Sequence, residues 1–286
     1  MILGINGILA SSIINQPPPL LDLYPSAAAA YSVRLLRTAY AGSAIRVRRS
    51  SDNTEQDIGF VAGNLDTSAL LSFVGANNGF VTTFYDQSGN ARNMTQATAA
   101  NQPQIVVSGS LLTQGGKPIM KFTSSTQRLN AATFALSVNR TYIMTLYNVT
   151  NAVTSYKIYL GPNGLDNFVN GLVGKFNESN WIYSWVGSGL ANNQVGVNQT
   201  ANNAYFLLGG YVQGSSQQQH YRNGVLNAQN TSLTISPTTT SQINSIMFNA
   251  ANGSDIRTNE AIIYDSYQSS NRAGIEANIN AYYAIY

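Results

Sequence analysis

The chain has 286 residues, a formal charge of +3 and no cysteine, with only 9% charged residues against 44% hydrophobic ones. The missing cysteines exclude disulfides, thiolate metal sites and a cysteine nucleophile, and a small, locally balanced charge excludes a persistent basic face for nucleic acid. The polar surface must then be built mostly from Asn, Gln, Ser and Thr, which suits a β-rich extracellular or virion protein better than a helical cytosolic enzyme.

Met1–Asn15 is apolar through Ile2, Leu3, Ile5, Ile8, Leu9, Ile13 and Ile14. It lacks a basic leader region, is interrupted by Gly4, Asn6 and Gly7, and is too short to span a bilayer. It reads as a docking arm for a neighbouring subunit or another protein, or as an arm folded on its own body. Gln16-Pro17-Pro18-Pro19 follows as a stiff extended spacer. The expected organisation is therefore an arm and spacer over 1–19 and one β-sandwich domain over 20–286. Sandwich edges and an apolar arm suggest a homo-oligomer, a dimer or trimer of closed symmetry.

Ser26 is placed to cap a helix from Ala27 to Arg37, because alanine is the best helix former and Pro25 precedes it. Ile45-Arg46-Val47-Arg48 alternates with period two and predicts a strand. Its arginines face Asp52, Glu55 or Asp57, or else a ligand carboxylate. Asp66 or Thr67 starts a second helix that runs to Val74. Phe80–Tyr85 is β-branched and aromatic and predicts a strand. Asp86-Gln87-Ser88-Gly89-Asn90 stops it in a tight polar corner, and Ile105–Val107 continues the sheet. Short strands then recur roughly every ten to fifteen residues, as in a sandwich or jelly roll. Asn223-Gly224 fits a type I′ hairpin turn. A last helix from Asn271 to Tyr283 puts Ile275, Ile279, Tyr282 and Tyr283 on one face.

Tyr85-Asp86-Gln87-Ser88-Gly89-Asn90, followed by Asn93, Thr95 and Gln96, resembles a signature of the catalytic domain of α-L-arabinofuranosidase B. It is similar also to a set of bacteriophage virion proteins. The resemblance runs from about Leu21 to the C-terminus and returns at Glu260-Ala261-Ile262-Ile263-Tyr264-Asp265. It implies a mainly β, concanavalin-like sandwich with a few short helices, and it too places a short helix near Ala30–Arg37. The function expected is a structural virion protein of a tailed phage, located on the virion as a capsid decoration, head fibre or tail component. Its arm would dock on other virion proteins, and its sandwich would face host-surface glycans. The alternatives are a glycoside hydrolase of the arabinofuranosidase type and a free carbohydrate-binding module.

Glycoside hydrolysis needs two carboxyl groups across the scissile bond, and the chain has 12 acidic residues in all. The resemblance implies an acid Asp ahead of the penultimate strand. An ungapped count back from Glu260 puts Asn249, Ala250 and Ala251 there. Its nucleophile has Asp166 as nearest analogue, with Glu178 beyond. The expectation drawn is a catalytically inactive relative with no catalytic residue. Sugar contacts fall to Trp181, Tyr183 and Trp185, which alternate on one face of a strand, and to Tyr211; burial in the core is the competing reading. His220, the one histidine, is expected on a solvated strand and excludes a histidine-rich zinc site. The loops Asp52–Asp57 and Asn252–Asp255 have calcium-like composition but make ordinary turns equally well. No metal or cofactor is expected.

Overall fold

The computed structural model describes residues 16–124, 126–149, 157–161, 171–175, 181–185, 194–198, 203–233, 241–242, 245–249 and 255–286. The architecture is a β-sandwich of antiparallel strands with, among the described residues, three short α-helices. One run of strands is held edge to edge by ladders. Ala27–Ser32 pairs with Glu260–Tyr264, which pairs with Asn139–Asn148, then Ala204–Gln213, Gln217–Arg222 and Val225–Asn230. A second run orders Glu55–Ile58, Ile45–Arg49, Gly79–Phe84 and Gln104–Val107, and Met120–Phe122 joins it to Ile256–Thr258. A third takes Leu129–Asn130, Ser245–Asn249, Lys157–Gly161, Gly171–Lys175, Trp181–Trp185 and Gln194–Asn198. The core fills with Ile, Val, Leu, Phe and Tyr from these strands, among them Tyr31, Phe84, Phe122, Tyr142 and Ile262.

The expected helix at Ala27–Arg37 is instead a strand, Ala27–Ser32, with all six residues buried. Tertiary context overrides the propensity of the alanines. Ser26 sits at φ +67°, a turn conformation that starts no helix. Every backbone N–H and C=O of so buried a segment needs a partner, and the ladder with Glu260–Tyr264 supplies half of them. The one helical turn of this region comes earlier, at Leu20–Leu23, where Leu20 and Leu21 enter the core. The helix over Thr67–Val74 forms as read, and Asp66 Oδ1 accepts from the Ala69 N–H at 2.9 Å as its N-cap. The hairpin turn also forms, with Asn223 and Gly224 at φ +53° and +77°.

The closing helix spans Arg272–Tyr283 and buries Ile275, Ile279, Tyr282 and Tyr283, and also the polar Glu276 and Asn278. These two explain how it is held. Arg34 is 2% exposed and binds Glu260 through two contacts, Nε to Oε2 at 2.8 Å and Nη2 to Oε1 at 2.9 Å. Its Nη1 donates to Asn278 Oδ1 at 2.9 Å. Ser32 Oγ donates to Glu260 Oε2, and the Tyr283 hydroxyl lies 3.1 Å from the same oxygen. The guanidinium also stacks 5.0 Å from the Tyr282 ring centre. Burial works against the charge of Arg34, and the Glu260 carboxylate more than offsets it, so its pKa is raised. Glu276 takes a second cation, Arg272, at 2.6 Å and accepts from the Tyr211 hydroxyl at 3.1 Å. Burial raises the Glu276 pKa against the pull of Arg272.

The Gln16–Pro19 segment lies against this body. Gln16 Nε2 donates to Asn64 Oδ1 at 2.6 Å, and Asn278 Nδ2 donates to the Pro18 carbonyl at 2.8 Å. The arm residues Ile2, Leu3, Ile5, Ile8, Leu9, Ile13 and Ile14 lie outside the described residues. Among those described, no helix is long and apolar enough to cross a membrane.

Removing one half of a buried ion pair leaves the other charge uncompensated. Glu260→Gln and Arg34→Met are each expected to lower unfolding stability by about 3–5 kcal/mol, read as urea midpoints at neutral pH. The double variant Arg34→Met with Glu260→Leu should recover much of that loss, because it leaves no stranded charge.

Candidate functional site

The signature corner is built on Asp86, which is 4% exposed. Asp86 Oδ1 accepts from the backbone N–H of Ala30 and of Ser88, both at 2.9 Å. Its Oδ2 accepts from the Ser88 hydroxyl at 2.8 Å and the Arg92 N–H at 3.0 Å. Gln87 is fully buried and works the same way. Its Nε2 donates to the carbonyls of Ser32 and Arg34, and its Oε1 accepts from the Leu36 N–H at 2.8 Å. Asn90 Nδ2 donates to the Ala27 and Ala28 carbonyls. The three side chains together pair the edge of Ala27–Leu36 that no strand covers. Gln96 and Gln102 extend the pattern, tying the corner to the Arg128 carbonyl and to each other. The signature is thus a scaffold element, and its carboxylate has no lone pair left for chemistry.

Beside the corner opens a cleft of about 360 Å³ whose polar lining is Arg37, Tyr40, Tyr85, Asp86 and Asn93, with glycine and alanine between them. The Arg37 guanidinium lies over Gly89. A Cβ on that glycine would stand 2.9 Å from Nη1 and 3.1 Å from Nη2 and push the arginine aside, and its φ of +99° favours glycine. Tyr40 donates its hydroxyl to the Ser43 carbonyl at 2.9 Å, and Tyr85 donates to Asp57 at 2.7 Å. Burial, with Asp86 nearby, pushes the Tyr40 phenol up to about 12. On the neighbouring strand Arg46 pairs with Glu55 and Asp57, the exposed-pair reading of that alternation, while Arg48 binds Gln102 and Asn53.

The other sequence candidates fall elsewhere. Tyr211 is fully buried against Glu276 and the edge of Tyr221, and so presents no face to solvent. Trp181, Tyr183 and Trp185 share one face of a strand paired on both sides, with Gly171–Lys175 and Gln194–Asn198; their side chains lie outside the described residues. His220 is interior, not solvated. It pairs across to Gly210 and Ala228 at full burial, which lowers its pKa to about 3. Its strand is covered on both sides, which the run of glutamines around it conceals. Asp166, Glu178, Ala250 and Ala251 lie outside the described residues. Asn249 ends the Ser245–Asn249 strand opposite Lys157. Among the described residues no group of three or more His, Asp or Glu could hold a metal ion.

Residues 22–121, which contain this corner, match the family model of the α-L-arabinofuranosidase B catalytic domain. The α-L-arabinofuranosidase B of Aspergillus oryzae is 33% identical over 122 residues, and its Aspergillus flavus counterpart 32%. The alignment covers 40% of this chain and 24% of theirs, so the chain spans about a quarter of the relatives it matches. A family 54 α-L-arabinofuranosidase soaked with a cyclic sulfate inhibitor shares the fold over 95% of this chain and 66% of its own, with TM-score 0.69 at 17% identity. An arabinofuranosidase complexed with arabinofuranosyl-α-1,2-xylobiose gives TM-score 0.67 at 18% identity over the same shares. The similarity is to an arabinofuranosidase scaffold.

These matches correct four expectations. The structural virion function, the capsid, fibre and tail descriptions, the virion location and the catalytically inactive relative are all replaced by similarity to glycosidases. The virion reading rests on the resemblance to phage proteins, which these matches do not bear out, and on absent cysteines and an absent basic leader, and missing features name no partner. The inactive reading leaned on Asn249, reached by a count that a single gap in the connecting loop would shift.

Asp86→Ala strands three backbone N–H groups in the interior and is expected to cost about 3–5 kcal/mol in urea unfolding. Asp86→Asn keeps one accepting oxygen and should lose roughly half as much. His220 gives a pH dependence. Its folded pKa, about 3, lies below the ordinary 6.5, so its contribution is whole above pH 6.5 and is lost as pH falls toward 3. The unfolding free energy from urea titrations should therefore drop over that window by about 1.4 kcal/mol per pH unit attributable to this group, and His220→Gln should flatten the slope.

Proposed function

We propose that the chain is a glycoside hydrolase of the α-L-arabinofuranosidase type, releasing terminal arabinofuranosyl groups from a polysaccharide. The observation that carries this reading is the match of residues 22–121 to the catalytic-domain family, supported by the common fold over 95% of the chain. Such chemistry uses two carboxyl groups about 5–10 Å apart, one to protonate the leaving oxygen and one to attack or to activate water.

The carboxylates sort themselves. Of the 12 acidic residues, Asp166 and Glu178 lie outside the described residues, which leaves ten. Several of the ten serve the scaffold: Asp86 the signature corner, Asp66 a helix cap, Glu260 and Glu276 buried arginine pairs. Lys157 pairs with both Gly174 and Asn249. The strand Gly171–Lys175, after which Glu178 follows in sequence, therefore ends level with Asn249, the end of the strand before Asp255, whereas Lys157–Gly161, the strand before Asp166, ends at the opposite end, beside Ser245. Asp255 is partly exposed and held by Arg257 at 2.7 Å. Glu178 and Asp255 are the pair this reading favours.

The test is release of nitrophenolate from 4-nitrophenyl α-L-arabinofuranoside by the full chain. Activity is expected, with Glu178→Gln and Asp255→Asn each lowering kcat about 10²–10⁴-fold, and Asp166→Asn near the unaltered rate. A folded chain with no turnover would overturn the proposal. Loss confined to Asp166→Asn would overturn the assignment of the pair.

A further inference from the structure

We propose that the cleft beside the signature corner is a binding site for a neutral saccharide of one to two sugar units, separate from any hydrolytic centre. Four observations converge on it. The first is size, since about 360 Å³ is at the lower end of small-molecule clefts.

The second is an excess of donors. Arg37 Nη1 donates to the Ser88 carbonyl at a long 3.2 Å, and this is the one hydrogen bond of its guanidinium. Nε is sealed in without a partner, and Nη2 has none. Asn93 spends its Oδ1 on the Asp86 N–H and keeps both amide hydrogens. The Tyr40 hydroxyl already donates to Ser43, so toward the cleft it accepts, while the Tyr85 hydroxyl is engaged by Asp57 and Arg46. Two donors beside an acceptor are what a vicinal diol matches, one hydroxyl giving and the next receiving.

The third is the apolar floor. Ala39, Ala41, Gly42 and Ala91 line the rest of the cleft with small groups, a surface on which the C–H face of a pyranose can lie. The fourth is the seat of Arg37. The scaffold role of Asp86, Gln87 and Asn90 is complete without that guanidinium, yet Gly89 is shaped to carry it. The charge around the cleft decides between neutral and acidic sugars. Asp86 lines it, while Asp57 behind Tyr85 is paired with Arg46, so a sugar carboxylate would meet the Asp86 carboxylate beside Arg37, the arginine that lines the cleft.

The experiment is two-dimensional amide NMR of the full chain titrated with xylose and xylobiose, with glucuronate as the acidic comparison. Xylobiose is expected to shift the Gly42, Gly89 and Asn93 amides in a saturable way. Arg37→Met, which removes the donor, and Ala41→Trp, which fills the cleft from an exposed position, should each weaken that response about tenfold or more. Unchanged Ile262 and Ile263 amides verify that each variant is folded. No shift at these three amides in the unaltered chain, or an equal response in both variants, overturns the site. A tighter response to glucuronate overturns its neutral character. The readout is independent of turnover, so the site stands or falls apart from the proposed hydrolysis.

Discussion

The structure depends on how one buried strand edge is satisfied. Ala27–Ser32 is covered on both faces and paired along one edge by Glu260–Tyr264. Its other edge meets side chains in place of a strand. Asp86, Gln87 and Asn90 supply acceptors and donors at the positions where a neighbouring backbone would have offered them. An unpaired amide here would cost about as much as a lost hydrogen bond in the core. This geometry tolerates little substitution, since each side chain must have both the right length and the right donor or acceptor. That is a physical reason for a compact recognisable motif in a chain whose remainder is loosely similar.

The same strand leads into the second fixed point. Two residues past its end, Arg34 enters the interior and joins Glu260, Asn278, Tyr282 and Tyr283. Glu260 belongs to the strand that pairs with Ala27–Ser32, and the other three belong to the closing helix. One guanidinium therefore fixes the helix against the sheet. The motif at Tyr85–Asn90 and the motif at Glu260–Asp265 lie far apart in sequence and meet on this one strand. Both support the scaffold, which separates the residues that identify the fold from the carboxylates that would carry hydrolysis.

Much of this was legible in the sequence and some was not. The alternation at Ile45–Arg48, the Asp66 cap, the Asn223-Gly224 turn and the stripe Ile275, Ile279, Tyr282, Tyr283 follow from local rules, and each forms. The helix expected at Ala27 fails because alanine's preference is a few tenths of a kcal/mol per residue, while burial between two layers decides the segment. His220 and Tyr211 were misplaced for a related reason. The neighbours of His220 are glutamines and those of Tyr211 are glycines and a valine, but strands on either side enclose both, and a two-residue period does not reveal which face is inward. The cleft was invisible because Arg37, Tyr40 and Asn93 are brought together only by the corner itself. Tyr85–Asn90 suggested a turn and a family, and only the hydrogen bonds show that its carboxylate is a structural acceptor.

Native-state hydrogen exchange at Ala30 and Leu36 tests this account most directly. Their N–H groups donate to the side chains of Asp86 and Gln87, bonds equivalent to those of a strand ladder. Both amides are expected to exchange only through global unfolding, with the same free energy as Ile262 and Ile263 in the adjoining strand. Exchange of Ala30 and Leu36 through a local opening, while Ile262 and Ile263 remain protected, would contradict it.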